Sequence, residues 1–270
     1  MPPETGNHVR ALITGGTRRV GLAVARGIAA RSTTRGATAS GGTAGGGTTL
    51  IVTSRDPESV EARAAKRELE QAGAVVELEM LDPGDAESIA GVAERVALRH
   101  GSLDVLVHNA SVYDRTPLAS LTAAQMSEAM AVNAFGPALL TKALVGLLAA
   151  SEQPGGAGVV AMADMHVLGR PRRDLLAYSM SKAALVEAVR SLARELAPKI
   201  RVNAVAPGVV AWPEDGSEAG AEFQQGYLAR VPLGRAGTPE DAAEVVCWLA
   251  LDARYVTGEI VRVDGGRWLA

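Results

Sequence analysis

Short apolar segments alternate with helical stretches along almost the whole chain, and this alternation limits the fold more than any other feature. The predicted strands are His8–Thr14, Thr49–Thr53, Val75–Leu81, Leu103–Val107, Gly158–Ala163, Ile200–Val205 and Ile260–Val263. Helical spacing is found between them, in Arg19–Arg31, Pro57–Ala72, Asp85–Arg99, Thr122–Ala150, Leu175–Ala197 and Pro239–Leu251. The pattern predicts an α/β fold: a Rossmann-type, doubly wound parallel sheet of about seven strands with helices on both faces.

A single domain over residues 1–270 is predicted, because no linker or internal repeat divides the chain. One segment is unusual for such a fold. Residues 32–48 are almost entirely Gly, Thr, Ala and Ser, and they separate the first helix from the second strand. Helix-to-strand links are usually about 2–6 residues long. We therefore expect a surface loop insertion at 32–48.

Composition excludes several classes of partner. The formal charge of −3 gives no basic excess of the kind that nucleic-acid binding requires. No uncharged apolar run approaches the ~18 residues of a membrane span. The single cysteine, Cys247, cannot form an internal disulfide. We expect a cytoplasmic protein that acts on a small molecule, with no nucleic acid, no membrane and no metal.

The first strand ends in the glycine-rich turn Thr14-Gly15-x-x-x-Arg19-x-Gly21, and a helix follows. Strand, glycine turn and helix N-terminus together are typical of a dinucleotide site, where backbone N–H groups receive the pyrophosphate. Arg55 follows the second strand, where an arginine accommodates a 2′-phosphate and an acid binds the ribose. Arg19 and Arg55 together favour NADPH, although Arg55 alone could be a solvated loop charge.

Tyr178 and Lys182 lie four positions apart in a helical stretch, so both side chains are on one face of the helix. A phenol titrates near ~10 and needs a neighbouring cation to act in proton transfer at neutral pH. The pair predicts a catalytic site, and a solvent-facing Tyr and Lys is the alternative. Asn133 stands inside a helix, where Asn is unfavourable, so we expect a buried polar role or an ordinary satisfied side chain. Asp82 ends the third strand and could accept from an adenine amino group or cap the next helix.

These landmarks occur in a fixed order with Asn109-Ala110 and Pro207-Gly208, and together they resemble the short-chain dehydrogenase/reductase family over nearly the whole chain. The resemblance is closer to pteridine reductases and dihydromonapterin reductases. The segments that carry it are Gly15–Gly21 (GGTRRVG), His108–Ser111 (HNAS), Asp164–His166 (DMH), Val209–Glu214 (VVAWPE) and Asp264–Leu269 (DGGRWL).

The resemblance implies roles for individual residues. Tyr178 is the implied proton donor, Lys182 binds the nicotinamide ribose and lowers the Tyr178 pKa, and Asn133 holds a proton-relaying water. The implied NADPH contacts are Gly15, Thr17, Arg18, Arg19, Val20, Ser54, Arg55, Asp82, Asn109, Ala110, Ser111, Tyr178, Lys182, Pro207, Gly208 and Val209. The implied substrate contacts are Ser111, Tyr113, Asp164, Tyr178 and Trp212, with Tyr113 stacking on a pterin ring. A homotetramer is also implied.

Asp164 bears on the reaction, because most relatives have a serine there. A carboxylate repels the negative charge that develops on a carbonyl oxygen during reduction. It favours instead the protonated nitrogen of a C=N bond. Asp164 stands one position further from Tyr178 than in the family, so either the following loop is one residue longer or Met165 occupies the position. The cluster Arg170, Arg172 and Arg173 in that loop either faces an acidic tail or is simply solvated.

The predicted function is an NADPH-dependent reductase that transfers hydride to a C=N bond of a dihydropterin- or dihydrofolate-like substrate. One alternative is an NADPH-dependent carbonyl or cyclic-imine reductase of secondary metabolism. Another, of a different class, is a non-catalytic NADPH sensor.

Overall fold

The computed structural model describes residues 8–39, 47–212 and 218–270, with the backbone alone for 33–39. These residues form a seven-stranded sheet in the order β3-β2-β1-β4-β5-β6-β7, and every neighbouring pair is parallel. The strands are β1 Val9–Ile13, β2 Thr48–Ser54, β3 Val75–Met80, β4 Val105–His108, β5 Ala157–Met162, β6 Ile200–Pro207 and β7 Ile260–Val263. The predicted fold class is confirmed.

The helices cover both faces of this sheet. They are α1 Arg19–Ala39, α2 Val60–Gln71, α3 Ala86–Arg99, α4 Ala123–Met130, α5 Gly136–Ala149, α6 Leu176–Leu196, α7 Ala221–Leu228 and α8 Pro239–Cys247. Successive strand residues point to opposite faces. Accordingly Ala11 and Ile13 join a core with α1 and α8, whereas Leu12 joins a second core with α3, α5 and α6. Both faces of β1 are therefore buried, which explains its continuous apolar sequence.

Residues 32–39 differ from the prediction of a loop insertion at 32–48. They continue α1, and Thr48 already belongs to β2. No proline interrupts α1, and the Ser32 hydroxyl donates a hydrogen bond of 2.9 Å to the carbonyl of Ile28 one turn earlier. A composition rich in Gly and Thr predicts a loop. However, extending an existing helix costs less than starting a new one, so α1 continues into this segment. Residues 40–46 lie outside the described part of the chain.

The predicted helix Thr122–Ala150 is divided by a π-helical turn, Ala131–Phe135, between α4 and α5. Half of the apolar stretch Ala123–Ala149 is buried within the fold, although its length and composition alone would suffice to cross a membrane. An apolar helix of this kind also forms the core of soluble proteins. A second π-helical turn, Trp248–Asp252, follows α8. Thr238 caps α8 with its side chain, as predicted.

The Arg201 side chain joins the second π-helical turn to the sheet. It lies at the edge of the sheet where the strands begin, opposite their carboxyl ends. Its guanidinium donates hydrogen bonds of 2.6–3.1 Å to the carbonyls of Leu249, Ala250, Ala253 and Gly155. Arg201 is only 6% exposed, so water cannot replace these bonds if they are lost.

We expect Arg201→Met to lower the free energy of unfolding by about 3 kcal/mol, because it leaves several buried carbonyls without donors. Urea unfolding at neutral pH measures this change. Arg254→Met is the matched control, since Arg254 lies close by but is exposed, and its loss is expected to change stability by less than about 0.5 kcal/mol. Equal effects of the two substitutions would contradict the assigned role of Arg201.

Candidate active site

A cleft of about 920 Å³ lies at the carboxyl ends of the strands. In an open α/β sheet, ligands bind at this edge where the strand order reverses, here between β1 and β4. Most of the predicted site residues line the cleft: Gly15, Thr17, Arg18, Arg19, Val20, Ser54, Arg55, Asn109, Ala110, Ser111, Tyr113, Asp164, Tyr178, Pro207, Gly208 and Val209. Asp82, Asn133, Lys182 and Trp212 are not among the residues that line it.

The ends of β1 and β4 are joined by side-chain hydrogen bonds. The Thr14 hydroxyl accepts from the backbone N–H groups of Asn109 and Ala110 at 2.9 and 3.0 Å. The Asn109 amide nitrogen donates to the carbonyls of Thr14 and Gly15 at 3.0 and 2.9 Å. Gly21 faces the same junction, and a Cβ atom there would lie 2.3 Å from the Gly15 carbonyl oxygen. The glycine turn is therefore shaped by close backbone approach.

One end of the cleft is lined by the three arginines Arg18, Arg19 and Arg55. The backbone of Arg19 has φ = 46°, in the left-handed region that glycine favours. A non-glycine residue in this region costs of order 1–2 kcal/mol. Asp56, beside Arg55, uses its carboxylate to accept from the backbone N–H of Glu58 at 3.0 Å. The cationic side chains at this end thus outnumber the carboxylates aimed into the cleft.

At the centre of the cleft, the Tyr178 hydroxyl donates a hydrogen bond of 2.9 Å to Asp164 Oδ2. Asp164 Oδ1 accepts from the backbone N–H of His166 at 2.7 Å. Of the two alternatives for the position beside Tyr178, the structure thus selects Asp164. Met165 is fully buried in the turn that follows β5.

The pKa values differ from the prediction that Lys182 lowers the pKa of Tyr178. Burial of the phenol, followed by the Asp164 carboxylate, raises the pKa of Tyr178 well above its ordinary value. Lys182 Nζ lies 5.9 Å from the centre of the Tyr178 ring and donates to the Met162 carbonyl at 2.7 Å. Burial lowers the pKa of Lys182 to about 8. The nearest charge to the phenol hydroxyl is therefore Asp164, and Tyr178 keeps its proton.

Asn133 lies in the π-helical turn and is 1% exposed. Its carbonyl oxygen accepts from the Val112 N–H at 3.0 Å, and its amide nitrogen donates to the Val112 carbonyl and to the Ser181 hydroxyl at 3.0 Å each. The side chain thus attaches the segment after β4 to α6. Both amide donors are used within the protein, so the proton-relaying water stays a prediction.

Tyr113 packs its ring edge-to-face against Tyr178, with 4.8 Å between the ring centres. Its hydroxyl accepts from Arg172 Nη1 at 2.7 Å and donates to Glu218 at 3.2 Å. Glu218 also pairs with Arg172, and burial raises the pKa of Tyr113 to about 12. Glu218 and His166 line the cleft as well, yet sequence reasoning assigned them no role. The sequence around Glu218 carries no pattern that could have identified it.

Two predicted contacts lie elsewhere. Asp82 accepts from the backbone N–H of Gly84 at 2.9 Å in a tight turn, while Asp85, not Asp82, caps α3. Trp212 packs edge-to-face on Tyr227, 5.5 Å between ring centres. Residues 213–217, which include the end of the VVAWPE segment, lie outside the described residues. Among the described residues, no cluster of three or more His, Cys, Asp or Glu side chains could hold a metal.

Comparison with known proteins agrees with this arrangement. A family model described as Enoyl-(Acyl carrier protein) reductase matches residues 21–267. The chain is 33% identical to an uncharacterised oxidoreductase of Methylorubrum extorquens, over 95% of this chain and 96% of the relative. It is 32% identical to human Dehydrogenase/reductase SDR family member 4, over 95% and 86%. A crystal structure of a putative NAD(P)-dependent gluconate 5-dehydrogenase from Beutenbergia cavernae, with bound NADP, superposes with a TM-score of 0.81 at 29% identity, covering 97% of both chains.

The depressed pKa of Lys182 predicts a pH-dependent stability. Between about 8, in the folded protein, and the ordinary value of 10.5, the unfolded chain binds more protons at this residue. The contribution of Lys182 to stability is therefore fully present above 10.5 and is lost as the pH falls through 8. We expect wild type to gain up to about 1.4 kcal/mol per pH unit relative to Lys182→Met between pH 8 and 10.

Urea unfolding of both proteins from pH 7 to 10 gives this difference, in which the titration of all other groups cancels. A difference that stays constant with pH would show that Lys182 titrates at its ordinary value.

Proposed function

The chain belongs to the short-chain dehydrogenase/reductase family, and we propose that it is an NADPH-dependent reductase of a C=N bond in a pterin-like heterocycle. The observation that carries the proposal is the 2.9 Å hydrogen bond from the Tyr178 hydroxyl to Asp164. This bond places a carboxylate directly beside the Tyr178 hydroxyl, which would give the substrate its proton.

Reduction of a C=N bond adds a hydride to carbon and a proton to nitrogen. When bound, NADPH supplies the hydride. The Tyr178 hydroxyl, which keeps its proton because its pKa is raised, is the proton donor to nitrogen. Asp164 stabilises positive character on that nitrogen as a carboxylate. The proton that Tyr178 gives up is then replaced from solvent in the open cleft, because the carboxylate has none to donate. The same carboxylate would disfavour the oxyanion formed from a ketone.

The residues of the cleft fit NADPH. The lack of a side chain at Gly21 lets the glycine turn pack directly against the N-terminal end of α1, where a pyrophosphate is favoured. Arg19 and Arg55 supply cationic donors suited to a 2′-phosphate. Arg19 has a backbone conformation that glycine would adopt with less strain. An arginine at such a position supports a role for its side chain in binding the coenzyme.

Tyr113 supports a flat, aromatic substrate. Its ring lies against that of Tyr178 and is 38% exposed at the cleft, so one face or edge is available for a heterocycle. The second candidate function is reduction of a carbonyl group, which is favoured by the similarity to a gluconate 5-dehydrogenase. Both activities use the same Tyr178 proton, and they differ in what Asp164 contributes.

NADPH oxidation with dihydrobiopterin, dihydrofolate and a panel of ketones separates the candidate functions. We expect turnover of the two dihydropterins. Turnover of ketones alone would replace the C=N proposal by the carbonyl one. Binding of NADPH with no turnover of any substrate would instead support a non-catalytic sensor.

Replacement of Asp164 tests its role directly. Ser also accepts hydrogen bonds at a helix N-terminus, so Asp164→Ser should retain the turn at His166. We expect kcat/KM for dihydropterins to fall at least 100-fold, and ketone turnover to be unchanged or raised. Asp164→Asn separates charge from shape and should lose the dihydropterin activity as well. Full activity of Asp164→Asn would show that the charge is not used.

Arginine substitutions test the coenzyme. Arg55→Asp is expected to weaken NADPH binding about 10–100-fold more than NADH binding, the range of one charged hydrogen-bonded contact. Arg19→Gly should shift the preference in the same direction without lowering the melting temperature, because it relieves the left-handed strain. Arg67→Asp, on the exposed face of α2 and outside the cleft, is the control. Equal losses for both coenzymes would contradict a contact with the 2′-phosphate.

A further inference from the structure

A second cavity, of about 420 Å³, adjoins the active-site cleft. It is lined by Arg170, Arg172, Arg230, Arg267 and His166, together with apolar and aromatic side chains. His166 and Arg172 also line the main cleft, so the two spaces share a wall. We call this second space the basic cavity. No acidic side chain is among the described residues that line it.

Arg267 has an unpaired buried donor at the basic cavity, as far as the described residues show. Arg267 is 7% exposed, and its Nε has no hydrogen-bond partner. Burial lowers the pKa of Arg267, and the neighbouring charges of Arg230 and Arg170 lower it further. A buried guanidinium N–H without an acceptor is costly, and a bound anion would remove that cost.

Side-chain contacts within the described ranges 8–39, 47–212 and 218–270 do not supply that anion. The Arg267 guanidinium lies over the Tyr227 ring at 5.4 Å, and its Nη1 donates to an Ala270 oxygen at 3.2 Å. Neither contact pairs Nε. The nearby Asp264 carboxylate accepts from the backbone N–H groups of Gly266 and Trp268 at 2.9 and 3.0 Å. Glu218 pairs with Arg172 but belongs to the main cleft and not to the basic cavity.

We infer that the basic cavity binds an anionic group, a carboxylate or a phosphate, of the substrate whose reacting bond lies at Tyr178. The path between the two sites is short in the structure: Asp164 bonds to both Tyr178 and His166, and His166 lines the basic cavity. The substrate of the proposed reductase is thus an anion whose charged group is separated from its heterocycle. This assignment rests on the proposed function only for the identity of the heterocycle.

The first experiment measures anion binding without catalysis. Calorimetric titration of the NADPH-saturated protein with glutarate and, separately, inorganic phosphate tests the two kinds of anion, since NADPH already occupies its own phosphate sites. We expect one of them to bind in the millimolar range or tighter, and Arg230→Met to weaken that binding at least tenfold. Arg230 is exposed just after α7, and its Nε donates to the Gly226 carbonyl at 3.0 Å, so the variant should fold.

Arg67→Met is the matched control, because it removes an exposed arginine outside both cavities and should leave anion binding unchanged. Binding of neither anion by wild type, or equal weakening by both substitutions, would overturn the assignment. Selective binding of glutarate would assign a carboxylate, and selective binding of phosphate would assign a phosphate.

The second experiment uses turnover of dihydrofolate and its dimethyl ester, which differ only in charge at the carboxylates. We expect KM to be at least tenfold lower for dihydrofolate than for the ester in wild type, and Arg230→Met to abolish this difference between the two substrates. Equal KM values in wild type would overturn the assignment for carboxylates. If neither compound is turned over, the proposed reductase function fails, whereas anion binding that Arg230→Met weakens would still support the basic cavity.

Discussion

The junction between β1 and β4 is the constraint on which the rest of the site depends. Thr14 and Asn109 bond to each other's segments across the point where the strand order reverses. Because parallel strands direct their carboxyl ends to one edge, this junction brings the glycine turn, the segment after β4 and the end of β5 together. The close approach at Gly21 depends on the same contacts. Cofactor and substrate regions are therefore aligned by a few buried polar bonds.

Asp164 connects the Tyr178 hydroxyl to the turn that follows β5. One of its oxygens contacts Tyr178 and the other contacts the His166 backbone. A carboxylate bonded at both oxygens cannot rotate freely, so the acceptor for the phenol proton has a defined direction. The same turn carries His166 to the wall shared by the cleft and the basic cavity. The proposed proton donor and the proposed anion site are thus connected by one short segment.

The parallel sheet, the approximate positions of its strands and most residues that line the cleft could be predicted, because buried parallel strands appear as apolar runs and the glycine turn has a local pattern. The pKa of Tyr178 could not, since it depends on burial and on a residue 14 positions away. His108 shows a further limit: it adjoins Asn109 in sequence but is buried against Thr141, away from the cleft. Glu218 contacts Tyr113, which is distant from it in sequence. The segment that contains Glu218 has no periodic pattern from which this contact could be predicted.

The π-helical turn Ala131–Phe135 has a consequence for the two helices that it joins. One additional residue in a helical turn rotates everything beyond it by about 100°. The buried face of α4 is therefore set independently of the buried face of α5. Leu140, Leu144 and Leu148 face the core while Asn133 faces the segment after β4. The turn thereby allows one apolar helical stretch to place a polar side chain against the segment after β4 and apolar side chains in the core.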